Sequence, residues 1–269
     1  MKTQEDHTAS ENSLSLSLSL SLSRWLSENY KLLVSVFLIG LFAYGFSVVN
    51  YSFLLDHDSA FIRNGPDFVI NHARINRWAM IVYYYLLLPG VFYPFIGNIL
   101  ALFFVSLAYC MFITNHPSLS FSQKLLFCGI AVSLPTFGPM FNFSFMVAQV
   151  SCSISFVVFA YLLTINGNTF LTRCILPILL CSFATFTYQS LIYIFPGLFL
   201  IDCLLNKFNM GKKSTYRVFL RVVVICIISL ICYVGGSELL HLITGISQHQ
   251  HPAGKSIYLR KPIIESFIS

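Results

Sequence analysis

The chain has 269 residues, of which 57% are hydrophobic and 10% are charged, and its mean hydropathy is +0.76. A soluble domain carries about a quarter charged residues, whereas residues 68–201 contain no Asp or Glu at all, so an ordinary globular fold is excluded. The net charge of +6 does not indicate nucleic-acid binding, because the basic residues lie in short segments between apolar runs, a pattern that orients membrane proteins. The composition predicts an all-α membrane protein with several spans.

The eight cysteines lie within apolar runs or at their ends, and no CxxC pair occurs. We interpret them as small buried hydrophobic residues. The spacing predicts neither a disulfide framework nor a zinc site.

Residues 1–31 are predicted to form a cytoplasmic low-complexity leader, and residues 32–269 a transmembrane domain. The leader contains the repeat SLSLSLSLSLS, Ser13–Ser23, whose period of two is typical of a strand. A lone strand without a partner is unstable, so we do not predict one. Acidic residues precede the repeat and no small-residue cleavage site follows it, so we do not expect the repeat to be a secretory signal.

Seven apolar segments are candidate spans, because about 20 apolar residues cross a bilayer as a helix. Arg24 and Lys31 precede the first of them, which places the N-terminus in the cytoplasm. The approximate spans are Leu32–Asn50, Pro94–Thr114, Leu125–Pro135, Phe145–Ile165, Cys174–Thr187, Leu191–Leu205 and Val218–Gly235.

An eighth apolar segment, Arg77–Phe95, is predicted to be an outer juxtamembrane or re-entrant helix. A full crossing there would put the basic cluster of residues 207–221 outside the cell, against the preference of Lys and Arg for the cytoplasm. With seven spans, four polar segments share the outer face. They are residues 54–78, Pro135–Ser144, Thr187–Ser190 and the tail after Gly236.

The first of these segments, Leu54–Trp78, carries unusual charge for this chain. Asp56 and Asp58 flank His57, and their mutual repulsion raises the pKa of one carboxyl unless a cation offsets it. Such a carboxylate suits a general base near neutral pH. The arginines of the segment suit phosphate binding, since a guanidinium matches phosphate oxygens in a bidentate way. A solvated loop whose charges pair with each other remains the alternative.

Three motifs follow in order along the chain. The acidic pair precedes the Arg77-Trp78 step, then comes PTFGPMFNFSFMVAQ, residues 135–149, and then FTYQSLIYIF, residues 186–195. This order resembles the bacterial and phage O-antigen glucosyltransferases, which are serotype-converting, multispanning GT-C-type enzymes that use polyprenyl-phosphate glucose.

The resemblance implies glucose transfer from polyprenyl-phosphate glucose to lipid-linked O-antigen, at the periplasmic face of a bacterial inner membrane, with inversion at the anomeric carbon. It implies no certain cofactor, although the aspartates would also suit a divalent metal. Asp56 or Asp58 would be the catalytic base, and the choice between them stays open. The implied substrate-binding residues are Arg63 and Arg77 for the phosphate or sugar, Trp78 for stacking, and Asn142, Gln149, Tyr188 and Gln189 for hydrogen bonds.

The chain departs from the family pattern in three places. His57 separates two acids that are more often adjacent, Asn76 stands where the family has Gly before Arg-Trp, and the chain ends at Ser269 although family members run longer. We therefore expect a C-terminally truncated family member. The alternatives are an inactive remnant, a transporter or a lipid-linked-sugar flippase. Apolar spans disfavour ion-coupled transport but leave a flippase open.

Two further expectations concern polar residues outside the motifs. Asp202 and Glu238 lie at span ends, where we expect a topological role rather than chemistry. Tyr83 and its tyrosine neighbours are expected to pack, with the lining of a lipid or sugar groove as the alternative.

Overall fold

A computed structural model describes residues 3–49, 72–86, 94–134, 146–205 and 212–244. These residues form α-helices and no β-strand, which confirms the predicted all-α class. A π-helical turn, Leu171–Ile175, leads into the helix that begins at Leu176, and a 3-10 helix, Gln189–Tyr193, leads into the helix that begins at Ile194. The helices are α1 (Thr3–Val49), α2 (Trp78–Leu86), α3 (Pro94–Thr114), α4 (Phe121–Val132), α5 (Val147–Asn166), α6 (Leu176–Thr187), α7 (Ile194–Leu205) and α8 (Lys212–Thr244).

Helix α5 is the centre of the bundle and packs against α3, α6, α7 and α8, while α1 packs against α3 and α4. The main apolar cluster is centred on Tyr161 and Phe195, whose rings meet edge to face at 5.8 Å. The Ser–Leu repeat lies within α1 and is helical rather than a strand. Outward-facing apolar side chains are abundant on α1 and α8, as lipid contact requires.

Four helical segments are long and apolar enough to cross a membrane: Ser23–Val49, Phe95–Thr114, Val147–Asn166 and Thr215–Thr244. Three shorter apolar segments, Phe121–Val132, Leu171–Thr187 and Gln189–Leu205, overlap the three remaining predicted spans. The count of seven therefore stays a prediction. The described part of α2 has nine residues, or about 14 Å at 1.5 Å per residue, and residues 87–93 lie outside the described ranges, so the juxtamembrane or re-entrant helix over Arg77–Phe95 stays a prediction.

One end of the bundle, the basic end, is fixed by hydrogen bonds between helix termini. Trp25 Nε1 donates to Thr114 Oγ1 over 3.1 Å, and Asn166 Nδ2 donates to Asn115 Oδ1 over 2.8 Å. These contacts put the C-terminal ends of α3 and α5 together with residue 25 of α1. The basic residues nearest this end in the described chain include Arg24, Lys124, Arg173 and Arg217.

The opposite end, the loop end, gathers the other helix termini. Asn98 Nδ2 in α3 donates to Ser47 O near the end of α1, over 3.2 Å, and the hydroxyl of Tyr44 donates to Leu134 O just after α4. Helix α5 begins at this end and runs 20 residues to the basic end, or about 30 Å. That length matches the hydrocarbon thickness of a bilayer.

A buried polar cluster lies towards the basic end. Asp202 Oδ2 accepts a hydrogen bond of 2.8 Å from the hydroxyl of Tyr161, and Asp202 Oδ1 lies 3.4 Å from His116 Nε2. The His116 contact is an ion pair when the imidazole is protonated, and its geometry is not that of a hydrogen bond. Both side chains are less than 5% exposed, so Asp202 in α7 links α5 and the turn after α3 inside the bundle instead of facing water at a span end.

Removing the Asp202 charge is expected to destabilise the protein. With the imidazole of His116 protonated, Asp202→Asn removes one partner of a buried ion pair, which costs about 3–5 kcal/mol, whereas Tyr161→Phe removes one hydrogen bond to a charged group, which costs about 1.5–3 kcal/mol. Thermal unfolding in detergent at mildly acidic pH, which favours the protonated imidazole, should therefore show a larger fall for Asp202→Asn than for Tyr161→Phe. Tyr216→Phe, at an exposed tyrosine, is the control. Unfolding of Asp202→Asn at the wild-type temperature would contradict the cluster's role.

Candidate substrate site at the loop end

Arg77 lies in a tight turn that leads into α2. Within the turn, the carbonyl oxygen of His72 accepts hydrogen bonds from the backbone N–H of Ile75, over 3.2 Å, and of Arg77, over 2.9 Å. The carbonyl of Arg77 then accepts from Met80 N over 3.0 Å and starts the helix. The turn fixes the direction in which the Arg77 side chain leaves the backbone.

Asn76 gives this turn its shape, because it has a backbone φ of 63°. Glycine adopts that left-handed conformation without strain, and Asn is among the few other residues that tolerate it. The backbone thus accounts for the departure noted in the sequence: Asn76 can fulfil the conformational role of the glycine that precedes Arg-Trp in the family it resembles.

The guanidinium of Arg77 lies over the ring of Tyr188, with Cζ 4.7 Å from the ring centroid. Its Nη1 also lies 3.8 Å from the sulfur of Met146, the residue before α5. Arg77 is half-buried and Tyr188 is exposed. Two residues that the sequence predicted for substrate binding are therefore in contact, although more than a hundred positions separate them in the chain.

Tyr188 reaches Arg77 because the backbone leaves the helical conformation there. Helix α6 ends at Thr187, and Tyr188 is extended, with φ −153° and ψ 121°. Gln189 then opens the 3-10 helix and donates a hydrogen bond from Nε2 to the hydroxyl of Tyr233 in α8. The Tyr-Gln pair thus faces two neighbours, the turn that carries Arg77 and the helix α8.

Trp78 and Gln149 are both buried at this end of the bundle. Trp78 is 8% exposed, and its ring packs edge-on against His241, with centroids 5.2 Å apart. Gln149, three positions after Met146, is 1% exposed. Among the described residues, Trp78 Nε1 has no acceptor and Gln149 Oε1 has no donor. Each leaves a polar atom that a ligand, or a residue outside the described ranges, would satisfy.

A chain of buried hydroxyls lies behind Tyr188. The hydroxyl of Tyr83 in α2 shares a hydrogen bond of 2.8 Å with Ser153 Oγ, which donates over 2.9 Å to Thr187 Oγ1. Tyr83 is 4% exposed, and burial raises the pKa of its hydroxyl, so the group stays protonated. These hydrogen bonds join α2, α5 and α6. Tyr83 therefore packs, as the sequence analysis expected, and it also ties the Arg77 turn to the Tyr188 break.

Asp56, Asp58, Arg63 and Asn142 lie outside the described residues, so their roles stay predictions. Among the described residues, no three His, Cys, Asp or Glu side chains come together as metal ligands. The structure adds three residues that the motif pattern missed: Asn76, His241 and Ser153. Only Asn76 left a signal in the sequence, as an exception to the expected glycine.

No curated protein and no solved structure matches the chain. A family model does match, over residues 45–264, and it describes the glucosyl transferase GtrII family. That range is most of the chain, and it contains the Arg77 turn, the start of α5 and the Tyr188 break. The chain therefore belongs to the glucosyl transferase GtrII family, whose members are glucosyltransferases of O-antigen modification.

Proposed function

We propose that this glucosyltransferase moves glucose from polyprenyl-phosphate glucose to lipid-linked O-antigen on the periplasmic face of the inner membrane. The observation that carries the proposal is the Arg77 guanidinium held 4.7 Å from the Tyr188 ring centroid at the loop end. The ring face holds the cation in place, and a guanidinium binds phosphate oxygens through charge-assisted, bidentate hydrogen bonds. A phosphate at the membrane surface is the anion that the donor supplies.

The reaction is a single displacement. An acceptor hydroxyl oxygen attacks the anomeric carbon of glucose as the bond from that carbon to the phosphate oxygen breaks, which inverts the configuration. Asp56 or Asp58 takes the proton from the hydroxyl, and polyprenyl phosphate leaves with its negative charge stabilised by Arg77 and Arg63. Stabilising the charge that develops on a leaving group is commonly the largest single contribution to catalysis.

The positions of the described helix ends support this assembly. The segments that carry Asp56, Asp58, Arg63 and Asn142 are bounded by the ends of α1 and α4, the turn at His72 and the start of α5. The Tyr44–Leu134, Asn98–Ser47 and Arg77–Met146 contacts gather these boundaries at the loop end. The unsatisfied oxygen of Gln149 and indole N–H of Trp78 suit the hydroxyls of a sugar, which both donate and accept hydrogen bonds.

The proposed periplasmic orientation follows from charge. Arg24, Lys124, Arg173 and Arg217 lie towards the basic end, and short segments rich in Lys and Arg face the cytoplasm. The loop end then faces the periplasm, where lipid-linked O-antigen would be the acceptor.

Neutralising the proposed base is expected to abolish transfer. Loss of a general base lowers the rate roughly 10²–10⁴-fold, so Asp56→Asn or Asp58→Asn should leave O-antigen unglucosylated, as measured by mass spectrometry of lipopolysaccharide from the expressing strain. Asp67→Asn, in the same segment, is the matched control and should retain transfer. Membrane amounts of each variant should equal wild type. Transfer by both Asp56→Asn and Asp58→Asn would contradict the assignment.

Replacing Arg77 with Lys keeps the charge but loses the planar fork that binds phosphate oxygens in pairs. We expect kcat/KM for polyprenyl-phosphate glucose to fall roughly 10–100-fold, corresponding to about 1.4–2.7 kcal/mol, measured as initial rates in isolated membranes. Arg217→Lys, exposed towards the basic end, should behave as wild type. An Arg77→Lys rate equal to wild type would rule out a bidentate phosphate contact.

Cysteine labelling tests the orientation directly. A membrane-impermeant maleimide added to spheroplasts should modify Ala60→Cys and leave Met210→Cys unmodified until the membrane is permeabilised. The parent chain provides the background, since four of its eight cysteines are buried in the described structure, three are partly buried and one is exposed. Labelling of both positions from the same side would overturn the proposed topology.

A further inference from the structure

His241, in the last turn of α8, contacts the residues on both sides of Arg77. Its Nε2 lies 2.6 Å from Asn76 Oδ1, although 165 positions separate the two residues in the chain. Its ring also meets the ring of Trp78 edge to face at 5.2 Å. With the proton on Nε2, the imidazole donates to the Asn76 side chain while it packs against Trp78. None of the sequence motifs includes His241.

The Asn76 contact acts where the backbone is under strain. A residue other than glycine stays in the left-handed region only when its surroundings hold it there. The hydrogen bond from His241 is such a restraint, because it fixes the side chain of the one residue whose φ of 63° sets the direction of Arg77.

His241 lies on the face of α8 that packs against α6. Tyr233, Ser237 and His241 follow at intervals of four, which places them on one side of a helix. Tyr233 accepts the hydrogen bond from Gln189, and Ser237 is 2% exposed. Between them, Gly236 approaches Phe186 so closely that an added Cβ would lie 2.8 Å from the ring. The helix is therefore held against α6 next to the Arg77 turn.

We propose that His241 is a positioning residue for Arg77, acting through its hydrogen bond to Asn76. The bond holds the turn of residues 72–77 in the conformation that keeps the guanidinium over Tyr188. This inference rests on the proposed role of Arg77 as a phosphate ligand. It also assigns α8 a role in completing the donor site, because α8 supplies the restraint from outside the Arg-Trp and Tyr-Gln motifs.

Three substitutions separate the two contacts that His241 makes. His241→Gln retains an N–H that can reach Asn76 but loses the ring, His241→Phe retains the ring against Trp78 but loses the hydrogen bond, and His241→Ala loses both. Because a displacement of about 1 Å can cost 10²-fold, we expect His241→Phe and His241→Ala to raise the KM for polyprenyl-phosphate glucose roughly 10–100-fold. We expect His241→Gln to remain within about threefold of wild type, as a retained hydrogen bond should allow.

A double-mutant cycle tests whether His241 acts through Asn76. Asn76→Gly keeps a backbone that accepts positive φ but removes the side chain that His241 holds. In that background, His241→Phe, which keeps the ring against Trp78, should cause no further rise in KM, since residues that act through one contact are not additive. Independent, multiplying effects would overturn the proposal, as would wild-type kinetics in His241→Phe or a loss in His241→Gln equal to that in His241→Ala.

A second measurement does not depend on glucose transfer. The chain has two tryptophans, so Trp25→Phe leaves Trp78 as the only indole. In this background, His241→Phe, which keeps a ring against Trp78 but loses the hydrogen bond to Asn76, should raise acrylamide quenching of the buried Trp78 severalfold, because the turn loses its restraint. Tyr216→Phe, at an exposed tyrosine, should leave the quenching unchanged. Unchanged quenching in His241→Phe would overturn the positioning role. If quenching changes as expected but the wild-type protein transfers no glucose, the proposed function fails and the positioning role stands.

Discussion

A bilayer offers no hydrogen-bond partners, so each polar group within a span needs a partner from the protein. Most hydroxyl groups in these helices donate a hydrogen bond to a backbone carbonyl in the preceding turn of the same helix. Thr164 donates to Ala160 O over 2.9 Å, and Thr185 donates to Cys181 O over 2.7 Å. Such bonds use no second helix and fix no ligand. Chemistry that requires exposed donors is therefore confined to positions where the helices end.

The loop end satisfies that requirement through breaks in helical geometry. The turn at residues 72–77 and the extended Tyr188 each interrupt the helical backbone, and their side chains meet as Arg77 over the aromatic ring. The buried Tyr83–Ser153–Thr187 chain fixes the same two breaks from inside the bundle. A rigid apolar scaffold thus holds a small polar site, which is the arrangement that precise binding demands.

The local sequence predicted the helices because an apolar segment long enough to span the bilayer is stable in lipid as an α-helix. The resemblance carried by the order of the motifs also predicted that Arg77, Tyr188 and Gln189 bind substrate; Arg77 and Tyr188 are in contact, and their substrate role stays a prediction. The sequence did not predict the partners of His241, because periodicity in a single sequence indicates local structure only, and the contact with Asn76 joins residues 165 positions apart. Asp202 was interpreted as a topological residue for the same reason: neither Tyr161 nor His116 is near it in sequence.

Departures from optimal structure at the loop end point to the same ligand chemistry. Asn76 is held at positive φ, Trp78 has an unsatisfied indole N–H and Gln149 has an unsatisfied amide oxygen among the described residues. An unsatisfied buried polar atom costs about 1–3 kcal/mol, and lipid tails cannot relieve it. A hydroxyl-rich sugar can serve both the donor and the acceptor, whereas an apolar ligand would serve neither. The polar atoms near Arg77 therefore favour a ligand that combines an anion with a carbohydrate.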